Sequence, residues 1–221
     1  MADRLLFTKT GRARYISHLD LMRTFQRALA RANIPIKHTE GFNPHPFVSI
    51  ALPLSVGYSS QCEILEFGLL EGTSYEEVPK RLTAAMPEGI VVHQCYPVER
   101  KLKELSYVNY IMTFDYPDGR PQETEPAMAA LLSKENLVVK KKSNKAKAGF
   151  TEVDLIPLIH SWRIECQSDT MMVDLVVSAQ NPGLNPELIR AAFCAEYPQY
   201  TPDFATFHRR EVLDKERKPF R

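Results

Sequence analysis

The chain has 221 residues, 44% of them hydrophobic and 25% charged. That suits a folded protein with one large domain, or two of about 100 residues that each bury a core. No apolar run approaches the roughly 20 residues needed to cross a bilayer. The first residues, Met1-Ala2-Asp3-Arg4, lack the basic start and apolar core of a secretory signal, so a cytoplasmic protein that does not enter membranes is expected.

The net charge of +1 is unevenly spread. Between Arg4 and Lys37 the basic residues are Arg4, Lys9, Arg12, Arg14, Arg23, Arg27, Arg31 and Lys37, and the only acid is Asp20. The next region reverses the balance with Glu63, Glu66, Glu71, Glu76 and Glu77. Such asymmetry predicts that part of the surface faces a polyanion.

Arg4 to Lys9 reads as a strand. Ser17 stands where a helix N-cap belongs, with Asp20 three residues on in a capping-box-like spacing. The helix is expected from about His18 to Ala32, with Leu21, Met22, Phe25, Ala28, Leu29 and Ala32 as its apolar face. Arg23, Arg27 and Arg31 recur every four residues on another face, with no carboxylate expected beside them. Ile36 to Thr39 reads as a short strand.

The loop Gly41-Phe42-Asn43-Pro44-His45-Pro46 follows. Glycine admits positive φ, the prolines fix φ, and Asn43 is pushed extended by the proline after it. Val48 to Leu52 and Gln61 to Leu70 are β-like, Ser74 to Met86 reads as a second helix, and Gly89 to Tyr96 as a strand. The order β-α-β-β-α-β describes a ferredoxin-like unit over residues 1–97.

A charged linker from Pro97 to Leu105 precedes a second such order over residues 105–221. Its expected strands are Tyr107 to Tyr116, Leu137 to Lys142, Ser161 to Gln167, Met171 to Ala179 and Phe204 to Leu213. Its helices are Pro121 to Ser133 and Asn185 to Glu196, the latter capped by Asn185 with Pro186 at its first position. The predicted class is α+β, as two tandem ferredoxin-like (βαββαβ) units with antiparallel sheets.

Candidate chemistry gathers in the first half. Arg12, Arg14, Arg23, Arg27 and Arg31 could follow a nucleic-acid backbone, where each neutralised phosphate adds salt-sensitive affinity. A solvated helix face is the plain alternative, though such faces usually mix charge signs. His45, held between two prolines, could be a general acid or base, a phosphate donor or a metal ligand, or could simply satisfy backbone carbonyls in a tight turn. Phe42 could stack on a base or plug the core.

His18 and Asp20 lie at a helix N-terminus, where anions are favoured. With His38 and His45 they match no metal-ligand spacing, and no metal is assigned. Lys140, Lys141 and Lys142, continuing to Lys145 and Lys147, form a second basic cluster that reads as an RNA footprint or a solubilising loop. Cys62, Cys95, Cys166 and Cys194 are far apart and form no C-x-x-C pair, so they read as small hydrophobes in a reducing compartment. Phosphate-binding glycine loops are absent, and no cofactor is expected.

The runs Tyr15-Ile16-Ser17-His18-Leu19-Asp20-Leu21-Met22-Arg23, Gly41 to Pro46, Ala51-Leu52-Pro53-Leu54 with Gly57, and Asp154 to Ile159 resemble the radical SAM-linked protein family. This is a bacterial domain of unknown function, found beside or fused to the C-terminus of a cobalamin-binding radical SAM protein. The resemblance covers essentially the whole chain, although the family more often has Arg where Ile156 stands. It implies a radical SAM partner. The family's usual setting near ribonuclease G and ribosomal-protein genes implies RNA or a ribosomal component as the target.

The chain has no C-x-x-x-C-x-x-C motif, so it is not itself the radical SAM enzyme. The element order of the first half is also similar to that of the CRISPR repeat-binding RAMP proteins, a likeness of fold alone. Two functions therefore stand as expectations. One is a non-catalytic, RNA-binding accessory protein in RNA modification or ribosome-related processing. The other is a metal-independent RNA endonuclease using His18 and His45 as acid and base.

Overall fold

The structure is a computed structural model that describes residues 2–142 and 149–221, and only the backbone of Lys141 and Lys142. It is a mixed α+β protein that divides into two compact units. The first comprises residues 1–105, 208–214 and 218–221; the second comprises residues 106–207 and 215–217.

In the first unit, β1 (Asp3–Lys9), α1 (His18–Arg31), β2 (Val48–Ile50), β3 (Ser59–Phe67), α2 (Glu77–Ala85) and β4 (Ile90–Pro97) follow in that order. The strands lie β4-β1-β3-β2, and each neighbouring pair is antiparallel. The start of β3 also pairs in parallel with His208 and Arg209 of β10 (Phe204–Leu213). β1 is buried along almost its whole length, so both of its faces are covered.

α1 forms because Ser17 caps it and its apolar residues recur at three and four. The buried face is Leu21, Phe25, Ala28 and Leu29, while the expected Met22 and Ala32 are half-buried at its edges. Phe25 meets Phe7 of β1 edge-to-face with ring centroids 4.7 Å apart.

Gly89 locks the turn before α1 onto the strand side of the unit. Its φ is +89°, its carbonyl accepts from the Thr10 amide at 2.7 Å, and a Cβ there would stand 2.3 Å from the Thr10 carbonyl oxygen. Only glycine fits such a backbone approach.

The second unit contains β5 (Tyr107–Asp115), α3 (Thr124–Leu132), β6 (Val138–Lys142), β7 (Phe150–Asp154), β8 (Ile159–Cys166), β9 (Thr170–Ser178) and α4 (Glu187–Glu196). Residues 204–207 of β10 complete it. Its strands lie β10-β5-β9-β8, and β6 pairs with β7 as a separate two-stranded sheet. Alternate residues of β5 and β9 are buried, which puts Met112, Phe114, Val173 and Leu175 in a core shared with Met128, Leu131 and Phe193. Phe114 and Phe193 stack at 5.9 Å.

Several local expectations are corrected. Ile36 to Thr39 is not a strand; it makes two isolated bridges, Ile36 to Leu69 and His38 to Pro46, because prolines across the turn cannot donate to a ladder. The strand expected at Leu137 to Lys142 does not join the main strands of its unit. Its partner is β7, and β8 takes the place beside β9. α2 starts at Glu77, after a turn in which the Ser74 carbonyl accepts from the Glu77 amide.

Candidate functional site

Two of the eight basic residues counted toward a polyanion-facing surface are buried. Arg4 is 0% exposed, donates to Glu66 at 2.8 Å and to the Arg100 carbonyl at 2.7 Å, and lies over the Phe220 ring. Lys9 is 1% exposed and donates to the carbonyls of Ile16 (2.9 Å) and Arg14 (3.3 Å). Burial lowers the Lys9 pKa, opposed by the nearby Glu63 and reinforced by Arg209.

Arg209 donates to Glu63 at 2.8 Å and to the Leu52 carbonyl at 2.7 Å, and both side chains are buried. The Gly57 amide donates to the Arg14 carbonyl at 2.9 Å. A buried ionic cluster thus clamps residues 14–16 and 52–57, which are the same segments that carry the family-like motifs. The sequence offered no local sign of it, because its charges come from β1, β3 and β10.

The clamp delivers the start of α1 in one position. Ser17 Oγ accepts from the Asp20 amide at 3.2 Å and donates to Asp20 Oδ2 at 2.7 Å, so both residues act in capping. The Ser17 hydroxyl, aided by Arg23, holds the Asp20 carboxyl below its ordinary pKa. Arg14 folds back onto the exposed Tyr15, donating to its hydroxyl at 2.7 Å with the guanidinium 4.8 Å from the ring centre. His18 is half-buried, and its Nδ1 has no hydrogen-bond partner among the described residues.

The arginine face is not uniform, and the expectation that it lacked a carboxylate is corrected. Arg23 pairs with Asp20 at 3.3 Å, although both remain well exposed. Arg31 turns away and donates to the Ala85 carbonyl at the end of α2 at 2.6 Å. Arg81 of α2 reciprocates by donating to Ala32 and Asn33 at the end of α1. Arg31 therefore satisfies a helix terminus. Arg12 and Arg27 stay exposed, and with Arg23 they leave three guanidinium groups toward solvent.

Residues 37–47 form a hairpin beside α1. The Phe47 amide donates to the Lys37 carbonyl, the Thr39 amide to the His45 carbonyl, and Gln26 of α1 tethers the hairpin by donating to the Pro46 carbonyl at 3.2 Å. His45 Nδ1 lies 3.1 Å from Thr39 Oγ1 and 3.2 Å from the Asn43 carbonyl. The ring is thereby fixed with Nε2 on its other edge. Gly41 has φ +128°, and the neighbouring Phe42 is fully exposed, so it is not a core plug. Asn43 is exposed too, and its backbone carbonyl is the group that orients His45.

A pocket of about 360 Å³ opens between α1 and the hairpin, with Leu29, Ile34 and Ile36 beneath it and Pro35 and Pro46 among its walls. Sequence reading missed it, because it needs the helix end and the hairpin to be placed together. Lys140 is exposed on β6 of the second unit, opposite Glu152. The side chains of Lys141 and Lys142, and residues Lys145 and Lys147, lie outside the described residues. No group of three or more His, Cys, Asp or Glu that could hold a metal ion occurs among the described residues. Of the cysteines, Cys62 is buried and the other three are half-buried, and all are free thiols. No described helix is long and apolar enough to cross a membrane.

Fold and site together define a mixed α+β protein with a braced basic helix and a stiff hairpin. The chain belongs to the family described as "Uncharacterized protein conserved in bacteria (DUF2344)", which it matches over residues 4–186. No curated protein matches it. Among solved structures it is similar to a chain in the crystal structure of a Cbf5-Nop10-Gar1 complex, with a TM-score of 0.51 and 8% identity. That alignment covers 95% of this chain and 48% of the other, so the chain spans about half the length of that relative. At such identity the likeness is one of fold. The crystal structure of an unknown protein from Galdieria sulphuraria aligns over 94% of this chain and 97% of its own at 12% identity, with a TM-score of 0.28.

Proposed function

We propose that this protein is a non-catalytic RNA-binding partner of a radical SAM enzyme, acting in the cytoplasm in RNA modification or ribosome-related processing. The observation that carries this reading is the exposed set Arg12, Arg23 and Arg27, on and just before a helix that is tethered through Gln26 to a hairpin holding Phe42 fully in solvent. Guanidinium groups suit phosphates, and an exposed ring on a stiff loop suits a base. The radical SAM partner follows from the resemblance of the Tyr15 to Arg23 and Gly41 to Pro46 motifs to the radical SAM-linked family.

In the same reading both units are ferredoxin-like. The orders β4-β1-β3-β2 and β10-β5-β9-β8 are each the order of a βαββαβ unit when the β6–β7 pair counts as an insertion.

The nuclease alternative asks His18 and His45 to meet at one phosphate. The hairpin holding His45 is tethered to α1 at Gln26, eight residues beyond His18 and about 12 Å along the helix. That geometry favours binding over cleavage.

The test is salt dependence. Binding of structured RNA or ribosomal RNA fragments should weaken steeply with added salt, and Arg12→Ala/Arg23→Ala/Arg27→Ala should reduce the logarithmic slope by about 2 to 3. Absence of binding, or binding indifferent to salt, overturns the reading.

A further inference from the structure

We infer that the apolar pocket between α1 and the hairpin receives an unpaired nucleobase, with the adjoining phosphates held by Arg23 and Arg27. This rests on the RNA-binding reading and specifies which form of RNA the surface takes. The pocket's volume of about 360 Å³ falls in the range of small-molecule sites. Its depth is apolar, with Leu29, Ile34 and Ile36 buried, while Pro35, Pro46 and Leu70 add apolar walls. Such a cavity suits a π-face and suits a sugar or phosphate poorly.

The rim supplies groups that could read a base edge. Gln26 spends its amide nitrogen on the Pro46 carbonyl, which leaves its side-chain oxygen as an acceptor. His38 adds an exposed imidazole. Positive charge lies close by on the same helix. Gln26 and Ala30 line the pocket, and Arg23 and Arg27 precede them by three residues each on α1. Residues so spaced are neighbours on a helix surface, about 5–6 Å apart at Cβ. An apolar slot with Arg23, which keeps its exposed pairing with Asp20, and Arg27 on neighbouring helix positions matches a nucleotide better than it matches an apolar peptide side chain.

A base can enter only if it is out of its stack. The inference therefore predicts preference for single strands, loops or bulges over duplex, the usual mode of sequence-specific RNA recognition.

Ala30 gives the test, because it lines the pocket from an exposed helix position where leucine is also a good helix former. Ala30→Leu should fill the pocket without altering charge. Affinity for a single-stranded oligoribonucleotide should fall about tenfold, within the range of losing one stacked base, while the salt slope stays unchanged. A 2-aminopurine placed in that oligonucleotide should change its emission on binding the unaltered protein and not on binding Ala30→Leu. Circular dichroism of the variant keeps a folding failure from passing as lost binding, and Gln26→Ala supplies a second rim variant.

If the protein binds RNA with a steep salt slope but Ala30→Leu and the 2-aminopurine signal show no effect, the pocket inference is overturned and the RNA reading stands. Equal affinity for duplex and single strand overturns it likewise. If no RNA binds at all, both fall.

Discussion

The ammonium of Lys9 donates to the carbonyl of Ile16 at 2.9 Å from a site that is 1% exposed. A strand residue thereby fixes the segment that leads into α1. Charged hydrogen bonds contribute about 1.5–3 kcal/mol each, and a buried partner left unpaired adds to the loss. Lys9→Met should destabilise the protein by about 3 kcal/mol in urea titration, and by freeing the segment leading into α1 it should speed tryptic cleavage after Arg12 and Arg14 before global unfolding. Wild-type stability in this variant would show that the carbonyls of Arg14 and Ile16 find other partners.

Arg27 and Arg31 are four residues apart on α1 and should behave oppositely. Arg31 closes the end of α2 through the Ala85 carbonyl, so Arg31→Ala should lower stability by about 1 kcal/mol. Arg27 is exposed, so Arg27→Ala should leave thermal stability unchanged and reduce the salt slope of RNA binding by about 0.7 to 0.9. Melting curves and binding isotherms on the two variants separate these roles.

Those two residues also show how far sequence alone could reach. α1 was legible because its cap and its three-and-four spacing are local signals, and both survive in the structure. The α+β class was legible for a similar reason, since β5 and β9 alternate cleanly. The fate of each arginine was not legible, because Arg31 finds its acceptor 54 residues away. Arg4 and Glu63 read as surface charges for the same reason, since their partners lie on distant strands, whereas the acceptors of Lys9, five and seven residues on, are reached only because the turn before α1 folds back onto β1. The Gly41 to Pro46 loop reads as stiff from its glycine and prolines, yet the pocket appears only once α1 and the hairpin are placed together, with Gln26 tethering them.

Stability should decline in mild acid through two histidines. His208 Nδ1 lies 2.9 Å from Ser59 Oγ, and burial, with the nearby Arg210, lowers its pKa below the ordinary 6.5. His160, against the Tyr107 ring, is lowered by burial and by Arg217. The unfolded chain therefore binds these protons first as pH falls. The stability they contribute is whole above 6.5 and is lost as pH drops from there through their lowered folded values. Melting temperature should fall over that window, and His160→Gln/His208→Gln should flatten the fall. An unchanged profile in the double variant would assign the acid sensitivity to carboxylates instead.

Phe42 isolates recognition from folding. Its ring is fully exposed at the hairpin tip, so Phe42→Ala removes no packed surface and should leave the melting temperature within error of the unaltered protein. If the ring stacks on a base, the same change should weaken single-stranded RNA binding by about 1–3 kcal/mol, and Phe42→Trp should preserve it. Thr39→Val tests the hairpin's rigidity separately, since it removes the hydroxyl that accepts from the His45 amide and contacts Nδ1. That variant should leave Phe42 in place chemically but loosen the tip, lowering affinity less than Phe42→Ala does. Equal losses from both would mean that the fixed shape of the hairpin, with His45 oriented inside it, carries the affinity and the ring does not.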